Sequence, residues 1–287
     1  MSAEVIGSIA ALREALARIR RAGGRVGLVP TMGALHAGHA RLIEHAVRET
    51  DCAVVSIFVN PIQFNDPRDY GQYPRTLVED AALCGRLGAT IVFAPSGEEM
   101  YPRPQQSFVE VQGVTEFLCG QFRPAHFRGV ATVVLKLFQI VQPDVAYFGE
   151  KDAQQLAVIR RMVSDLNVPL RIVEVATVRE PDGLALSSRN RLLSSEERRL
   201  APVLFQVLRQ VQERIAVGAR DAAAVRREAL ATLDQHRIRV EYLEIVDPES
   251  MQPVERIDAP VRVAAAIWLG ATRLIDNLLC TPPAPAP

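Results

Sequence analysis

The sequence predicts an α/β protein: a Rossmann-like, doubly wound parallel sheet followed by a smaller C-terminal α+β domain. Three observations carry this. Short, β-branched apolar runs alternate with stretches whose apolar residues recur every three or four positions. The residues with distinctive chemistry fall just after the apolar runs, where open parallel sheets bind ligands. The alternation then stops near Arg191, giving way to long amphipathic segments and a second set of strand-like runs.

In chain order, MSAEVIGSIAALREALARIRRAGG carries charge throughout its apolar pattern and reads as an amphipathic helix rather than a signal peptide. RVGLVP (Arg25–Pro30) and CAVVSIFV (Cys52–Val59) have the composition of strands covered on both faces, and TIVFAP, DVAYFG and LRIVEVATV follow the same style. Between them, residues 37–49, 77–87, 130–141 and 153–166 show helical spacing, as in Leu42, Ile43, Ala46 and Val47. Ser194 to Glu197 is a capping box, and the pattern predicts one long helix running on through SSEERRLAPVLFQVLRQVQERIAVG. Asp221 is the expected N-cap of a further helix, and RVEYLEIVDP and VRVAAAIWLGATRLIDNLLC read as a small antiparallel sheet. The expected division is 1–182 for the sheet domain, 183–280 for the smaller domain, and 281–287 for a Pro-rich tail that cannot build a core.

Of 287 residues, 48% are hydrophobic and 23% charged, which suits a globular chain with a substantial core. Lys plus Arg and Asp plus Glu number 33 each, so no general basic face is implied. Nucleic-acid and membrane-surface binding are accordingly not expected. Cys52, Cys84, Cys119 and Cys280 are widely spaced, fitting neither a zinc ribbon nor a disulfide scaffold. They read as reduced thiols of a cytoplasmic protein.

Four segments follow strands. The first, PTMGALHAGH, holds two of the five histidines, His36 and His39. A metal pair, two packed structural histidines and a phosphate-handling turn all remain open there. Gly33 and Gly38 permit close backbone approach, and the helix that follows offers its N-terminal amides to an anion. The pattern is neither Gly-x-x-x-x-Gly-Lys-Ser/Thr nor Gly-x-Gly-x-x-Gly. In the second, SIFVNPIQF, Asn60 and Gln63 offer uncharged donors and acceptors beside a Pro-bearing turn. The third, FGEKDAQQ, contains one of only two lysines, Lys136 and Lys151, in a chain otherwise reliant on Arg. Lys151 at a helix start opposes the dipole unless an anion lies there. Asp152 suits either a cap or a ribose hydroxyl, and Lys136 reads as a solvated or snorkelling side chain. The fourth, VREPDGLALSSRN, joins Ser187, Ser188 and Arg189 on a loop suited to phosphate.

His-x-Gly-His after an early strand and Ser-Ser-Arg after a late one resemble the signature pair of the nucleotidyltransferase superfamily. PTMGALHAGH, SIFVNPIQF, YPRT, HFRGVATVV, FGEKDAQQ, LALSSRN and LGATRLIDN together resemble the pantothenate synthetase (pantoate–β-alanine ligase) family over nearly the whole chain. The resemblance implies that ATP adenylylates pantoate, and that β-alanine then displaces AMP to give pantothenate. It implies ATP contacts at Met32, Gly33, Ala34, Leu35, His36, Ala37, Gly38 and His39, with His39 as proton donor and His36 on a phosphate. It also implies contacts at Gly149, Glu150, Lys151, Asp152, Val178, Leu186, Ser187, Ser188 and Arg189, with His36, His39, Lys151 and Arg189 serving catalysis. Gln63 and Gln155 would hold pantoate, with Gln63 also near β-alanine, and Asn60 belongs to the same uncharged set. Mg²⁺ would share the charge of the ATP phosphates, with Asp80 as its protein contact. The segment after YPRT reads LVEDAAL, with fewer acidic residues than the family often shows. A homodimer and a lid role for the C-terminal domain are further implications.

Overall fold

The computed structural model describes residues 2–284. Two compact units share the chain. The first takes the described residues up to Val111, together with Arg123–Glu150 and Val158–Ala176. The second takes Gln112–Phe122, Lys151–Ala157 and the described residues from Thr177 on. Residues 285–287 of the expected Pro-rich tail lie outside the described residues.

The first unit is built on a six-stranded parallel sheet of order β1-β4-β3-β2-β5-β6. Its strands are β1 (Glu4–Ile6), β2 (Val26–Thr31), β3 (Cys52–Ile57), β4 (Ile91–Phe93), β5 (Val145–Gly149) and β6 (Arg171–Val175). β2 and β3 run in register from Val26 opposite Cys52 to Thr31 opposite Ile57, so both end at one edge of the sheet. α1 (Ile9–Arg21), α2 (Ala37–Glu49), α3 (Pro67–Gln72), α4 (Leu77–Arg86), α5 (Gly97–Met100) and α7 (His126–Val141) belong to this unit. Val29 and Val55 pack with Leu42, Ile43 and Ala46 of α2 and with Cys84 of α4. α1 and α7 pack against each other and against β2. This double cover explains why the strands read as continuous apolar runs. The N-terminal segment is not all helix: three residues add β1 beside β4, and Ser8 then caps α1.

α8 (Ala153–Asp165) begins in the second unit and ends in the first; the second unit also holds α6 (Cys119–Phe122). Its sheet is antiparallel, with β7 (Arg239–Val246), β8 (Val261–Leu269) and β9 (Thr272–Cys280) in that order. α10 (Val203–Ala216) and α11 (Ala222–Gln235) cover one face, burying Leu204, Leu208, Val211 and Leu233 against Val263, Ala265, Ile267 and Leu274. Asp221 caps α11 as expected. The single long helix expected from Ser194 onward is instead two, α9 (Ser195–Leu200) and α10, with the break at Ala201–Pro202. Proline lacks the N–H that would continue the ladder, and its ring crowds the preceding turn. The capping box at the head of α9 forms as predicted, with Ser194 N donating to Glu197 and Glu197 N to the Ser194 hydroxyl.

Candidate active site

In the first unit the chain leaves β2 through a turn that Gly33 and Asp80 make together. Gly33 has φ +86°, and a Cβ there would lie 3.1 Å from both Asp80 Oδ2 and Ile57 Cγ2. Ala34 follows in the left-handed region at φ 51°. Asp80 is 3% exposed and accepts from Ala34 N at 2.9 Å, Leu35 N at 2.8 Å and the Thr76 hydroxyl at 3.0 Å. A buried carboxylate bonded to three donors is a structural anchor. Asp80, expected to contact Mg²⁺, holds the turn through these three bonds. Among the described residues, no group of three His, Cys, Asp or Glu is arranged to hold a metal ion. These residues do not fit a dedicated metal cage, and the metal-pair alternative for the histidines lacks a third ligand among them. Ala34 and Leu35 are buried, with both N–H groups committed to Asp80, so those two amides are not offered to a nucleotide.

The turn delivers His36 and His39 to the start of α2, where they cap the helix reciprocally. His36 Nδ1 accepts from Gly38 N at 3.1 Å, and His39 Nδ1 accepts from His36 N at 3.3 Å. The rings lie 4.1 Å apart between centroids. An imidazole accepting at Nδ1 is neutral and carries its proton on Nε2. Each ring thus satisfies a helix N-terminal amide at one nitrogen and is an N–H donor at the other. Gly38 is required by this arrangement: a Cβ there would lie 2.9 Å from His36 Cε1 and 3.0 Å from Nδ1. Beside the turn is a cleft of about 290 Å³ lined by Met32, Gly33, Phe58, Tyr70 and Arg75, among others.

After β3, Asn60 is 1% exposed and its amide makes three hydrogen bonds. Nδ2 donates to Gln63 Oε1 at 3.0 Å and to the Gly129 carbonyl at 3.1 Å, while Oδ1 accepts from the Tyr101 hydroxyl at 2.8 Å. Asn60, expected among the substrate contacts, here orients Gln63. With Oε1 bonded, Gln63 turns Nε2 toward Met32 Sδ, 3.1 Å away. His126 Nδ1 donates to the Gln63 carbonyl at 2.8 Å. Gly129 brings α7 against this loop so closely that a Cβ would fall 2.4 Å from the Ile62 carbonyl oxygen. Lys136 is not simply solvated. Its ammonium donates to the Met100 carbonyl and lies 4.7 Å over the Tyr101 ring, and burial lowers its pKa. Burial likewise pushes the Tyr101 phenol well up, keeping it a donor to Asn60. Tyr101, His126 and Lys136 thus support Gln63 from afar, a role the sequence reading missed; only HFRG, quoted there as a motif, pointed at one of them.

Gly149 ends β5, and Glu150, Lys151 and Asp152 form a 3-10 turn. In the second unit Lys151 is partly buried and Asp152 exposed. The two glutamines that follow divide. Gln154 is buried and anchors the 112–122 segment, donating to the Val114 and Phe117 carbonyls and accepting from Cys119 N. Gln155 is partly exposed. Val178 and Leu186 close a small hairpin, Leu186 N donating to the Val178 carbonyl at 2.9 Å. Ser187 then caps the turn Ser188–Leu192 by accepting from Arg189 N. Asn190 holds this loop by donating to Glu180 and to the Ala185 carbonyl. Arg198 bridges Glu180 and Asp182 at 2.6 Å each and holds the Asp182 carboxyl below its usual range. The structure therefore groups Met32 to His39 with Gln63 in one unit, and Lys151, Asp152, Gln155, Val178 and Leu186 to Arg189 in the other.

A family model described as pantoate-beta-alanine ligase matches residues 4–279. Pantothenate synthetase 1 of Bradyrhizobium diazoefficiens is 53% identical over 281 residues, spanning 96% of this chain and 98% of that one. The Moorella thermoacetica pantothenate synthetase is 50% identical, spanning 96% and 98%. A crystal structure of pantothenate synthetase from Thermus thermophilus superposes with a TM-score of 0.91 at 47% identity, covering 97% of this chain and 100% of that one. The ligase of Francisella tularensis, solved with β,γ-ATP and β-alanine, matches with a TM-score of 0.78 at 35% identity, covering 97% and 98%. From its first strand to its last, the chain belongs to the pantoate–β-alanine ligase family.

Proposed function

We propose that the chain condenses pantoate with β-alanine in two steps on one ATP, with the site residues dividing the work as follows. A carboxylate oxygen of pantoate attacks the α-phosphorus, the bond to the pyrophosphate oxygen breaks, and pantoyl adenylate forms. The amine of β-alanine then adds to the acyl carbon, the bond to AMP breaks, and pantothenate leaves with the amine having lost its proton. A free carboxylate is a poor acylating agent, and AMP makes it a good one. The protein's task is alignment, charge neutralisation and exclusion of water.

The observation that carries this reading is the reciprocally capped pair His36 and His39. Their Nε2–H groups, at the N-terminus of a 13-residue helix, are donors without the cost of placing two cations together. In the proposal they take phosphate oxygens as charge grows on them, with His39 donating its proton to the departing group. Lys151 follows the α- and β-phosphates as a compact cation, and Ser187, Ser188 and Arg189 bind the outer ones. Asp152 takes the ribose hydroxyls, and Gly149, Glu150, Val178 and Leu186 line the nucleoside. Gln63, its Oε1 engaged by Asn60, presents Nε2–H to pantoate and β-alanine, and Gln155 completes the pantoate contacts. Mg²⁺ bound with ATP would share the charge of its phosphates. We also propose a cytoplasmic homodimer, in keeping with the family resemblance and with four free thiols; light scattering tests the dimer.

The deciding experiment is pyrophosphate release from ATP. It should require pantoate, and pantothenate should appear only when β-alanine is added. Adenylyl transfer to a nucleotide or to phosphopantetheine, with none to pantoate, would overturn the reading.

A further inference from the structure

The motif LGATRLIDN runs from the end of β8 through the turn into β9, and the proposed reaction gives it no part. Its last two residues, Asp276 and Asn277, are polar and 3% and 4% exposed, on the outer strand β9 of a sheet whose other buried residues are mostly apolar. Consecutive strand residues point to opposite faces, and these two hold different loops. On the helix-covered face, Asp276 takes Arg179 in a two-point ion pair, Nη1 to Oδ2 at 2.6 Å and Nη2 to Oδ1 at 3.0 Å. Arg179 lies 3.9 Å over the Phe205 ring and also donates to the Gly183 carbonyl at 3.1 Å. It thereby ties the turn of the hairpin that joins Val178 to Leu186 to its base, and the base to β9. On the other face, Asn277 Nδ2 donates to the backbone carbonyl of Lys151 at 3.0 Å, while its Oδ1 is held by Arg262 of β8.

Stability does not account for this. A buried ion pair of this kind is often no better for stability than well-packed apolar residues of the same volume, and apolar neighbours are at hand here. What the pair does supply is a fixed separation between two loops that are 27 residues apart or more in sequence. We propose that Asp276 and Asn277 are positioning residues for ATP: one dipeptide of β9 sets Lys151 and the Val178–Arg189 hairpin in register with each other. The proposal rests on the assignment of those two segments to the nucleotide, and it adds what holds them.

Asn277→Asp keeps the size of the side chain and removes the donor to Lys151; Asn277→Ala removes the whole contact. Both leave the Asp276–Arg179 pair in place. Each should raise the KM for ATP about tenfold, the size of one lost hydrogen bond, and slow pyrophosphate release, with the KM for β-alanine close to wild type. Asn277→Asp, which keeps an acceptor for Arg262, should also keep the melting temperature, whereas Asn277→Ala should lower it. Asp276→Asn should act in the same direction through Arg179. Lys151→Ala is measured alongside. If Lys151→Ala binds ATP normally, the nucleotide assignment fails and this proposal falls with it. If Lys151→Ala loses ATP while a folded Asn277→Asp protein keeps its wild-type KM for ATP, the positioning role alone is overturned. Equal rises in both KM values, or failure of both Asn277 variants to fold, would make the dipeptide a structural element and overturn it as well.

Discussion

Gly38→Ala separates two properties that usually fall together. The substitution puts a methyl group in the second position of α2, where alanine favours the helix over glycine by up to about 1 kcal/mol. The same methyl would lie 2.9 Å from His36 Cε1 and 3.0 Å from Nδ1, well inside van der Waals contact. The ring must swing off, and the bond from Gly38 N to Nδ1 is lost with it. Loss of an N-cap costs about 1 kcal/mol, so the two effects nearly cancel and the folded protein should keep its stability within about 1 kcal/mol. Activity has no such compensation. If His36 donates to phosphate as charge develops, misplacing that one donor should lower turnover by about 10²–10³-fold. Chemical denaturation and pantoate-dependent pyrophosphate release, measured on one preparation, give both numbers. Full turnover in Gly38→Ala would refute the role given to His36. A loss of more than about 3 kcal/mol would refute the account of the cap instead.

Asp80→Asn should cost about 2–3 kcal/mol, because an amide group would face N–H donors where a charged acceptor now sits. Its lost activity should not return with excess Mg²⁺; recovery on adding the ion would restore Asp80 as a metal contact. The buried thiols predict alkaline sensitivity. Burial, reinforced by Asp80, pushes Cys84 up to about 12, and burial pushes Cys280 up to about 11, from an ordinary 9.0. A raised acid keeps its proton in the folded state, so the stability it contributes is complete below pH 9 and is lost as pH climbs toward 11–12. The slope should reach about 1.4 kcal/mol per pH unit for each thiol. In denaturation curves taken across this range, Cys84→Ala should show a shallower fall, and an unchanged slope would show that Cys84 does not carry it.

The parallel sheet was legible because its strands are buried on both faces and so write unbroken apolar runs into the sequence, with turn residues between them. β1 was missed because three residues are too few to show a period, and they pair with β4, some 85 residues away. Pro202 broke a helix whose apolar spacing continued across it, a case where one missing N–H outweighed a consistent pattern. At the site, the sequence places the candidate residues but does not show what each side chain touches. Asn60 and Gln63 look alike in SIFVNPIQF, and only the Tyr101 hydroxyl and the Gly129 carbonyl, 41 and 69 residues away, distinguish the filled amide from the one it aims. Gln154 and Gln155 are adjacent and identical, yet the first is sealed against the 112–122 segment. Asp80 was named as an Mg²⁺ contact through the family resemblance, which says nothing of its partners within the chain. Its partners are the backbone amides of Ala34 and Leu35, some 45 residues earlier.

The spacing of His36 and His39 shows why this helix start is not capped by the usual serine or aspartate. Either of those would satisfy a helix amide and do so more cheaply, but both turn acceptor oxygens toward whatever binds in front of the helix. Facing a triphosphate, that is repulsion between acceptors. An imidazole accepts on one edge and donates on the other, so it passes the polarity of the helix N-terminus outward instead of cancelling it. Two of them three residues apart lie at the N-cap and the third position of the helix, where each accepts from a backbone N–H of the first turn or its cap. That close packing in turn needs a residue without a side chain between them, which is why the pattern is His-x-Gly-His and not His-x-x-His. The glycine, which as a sequence feature suggested close backbone approach, is the residue whose missing side chain leaves room for the His36 ring.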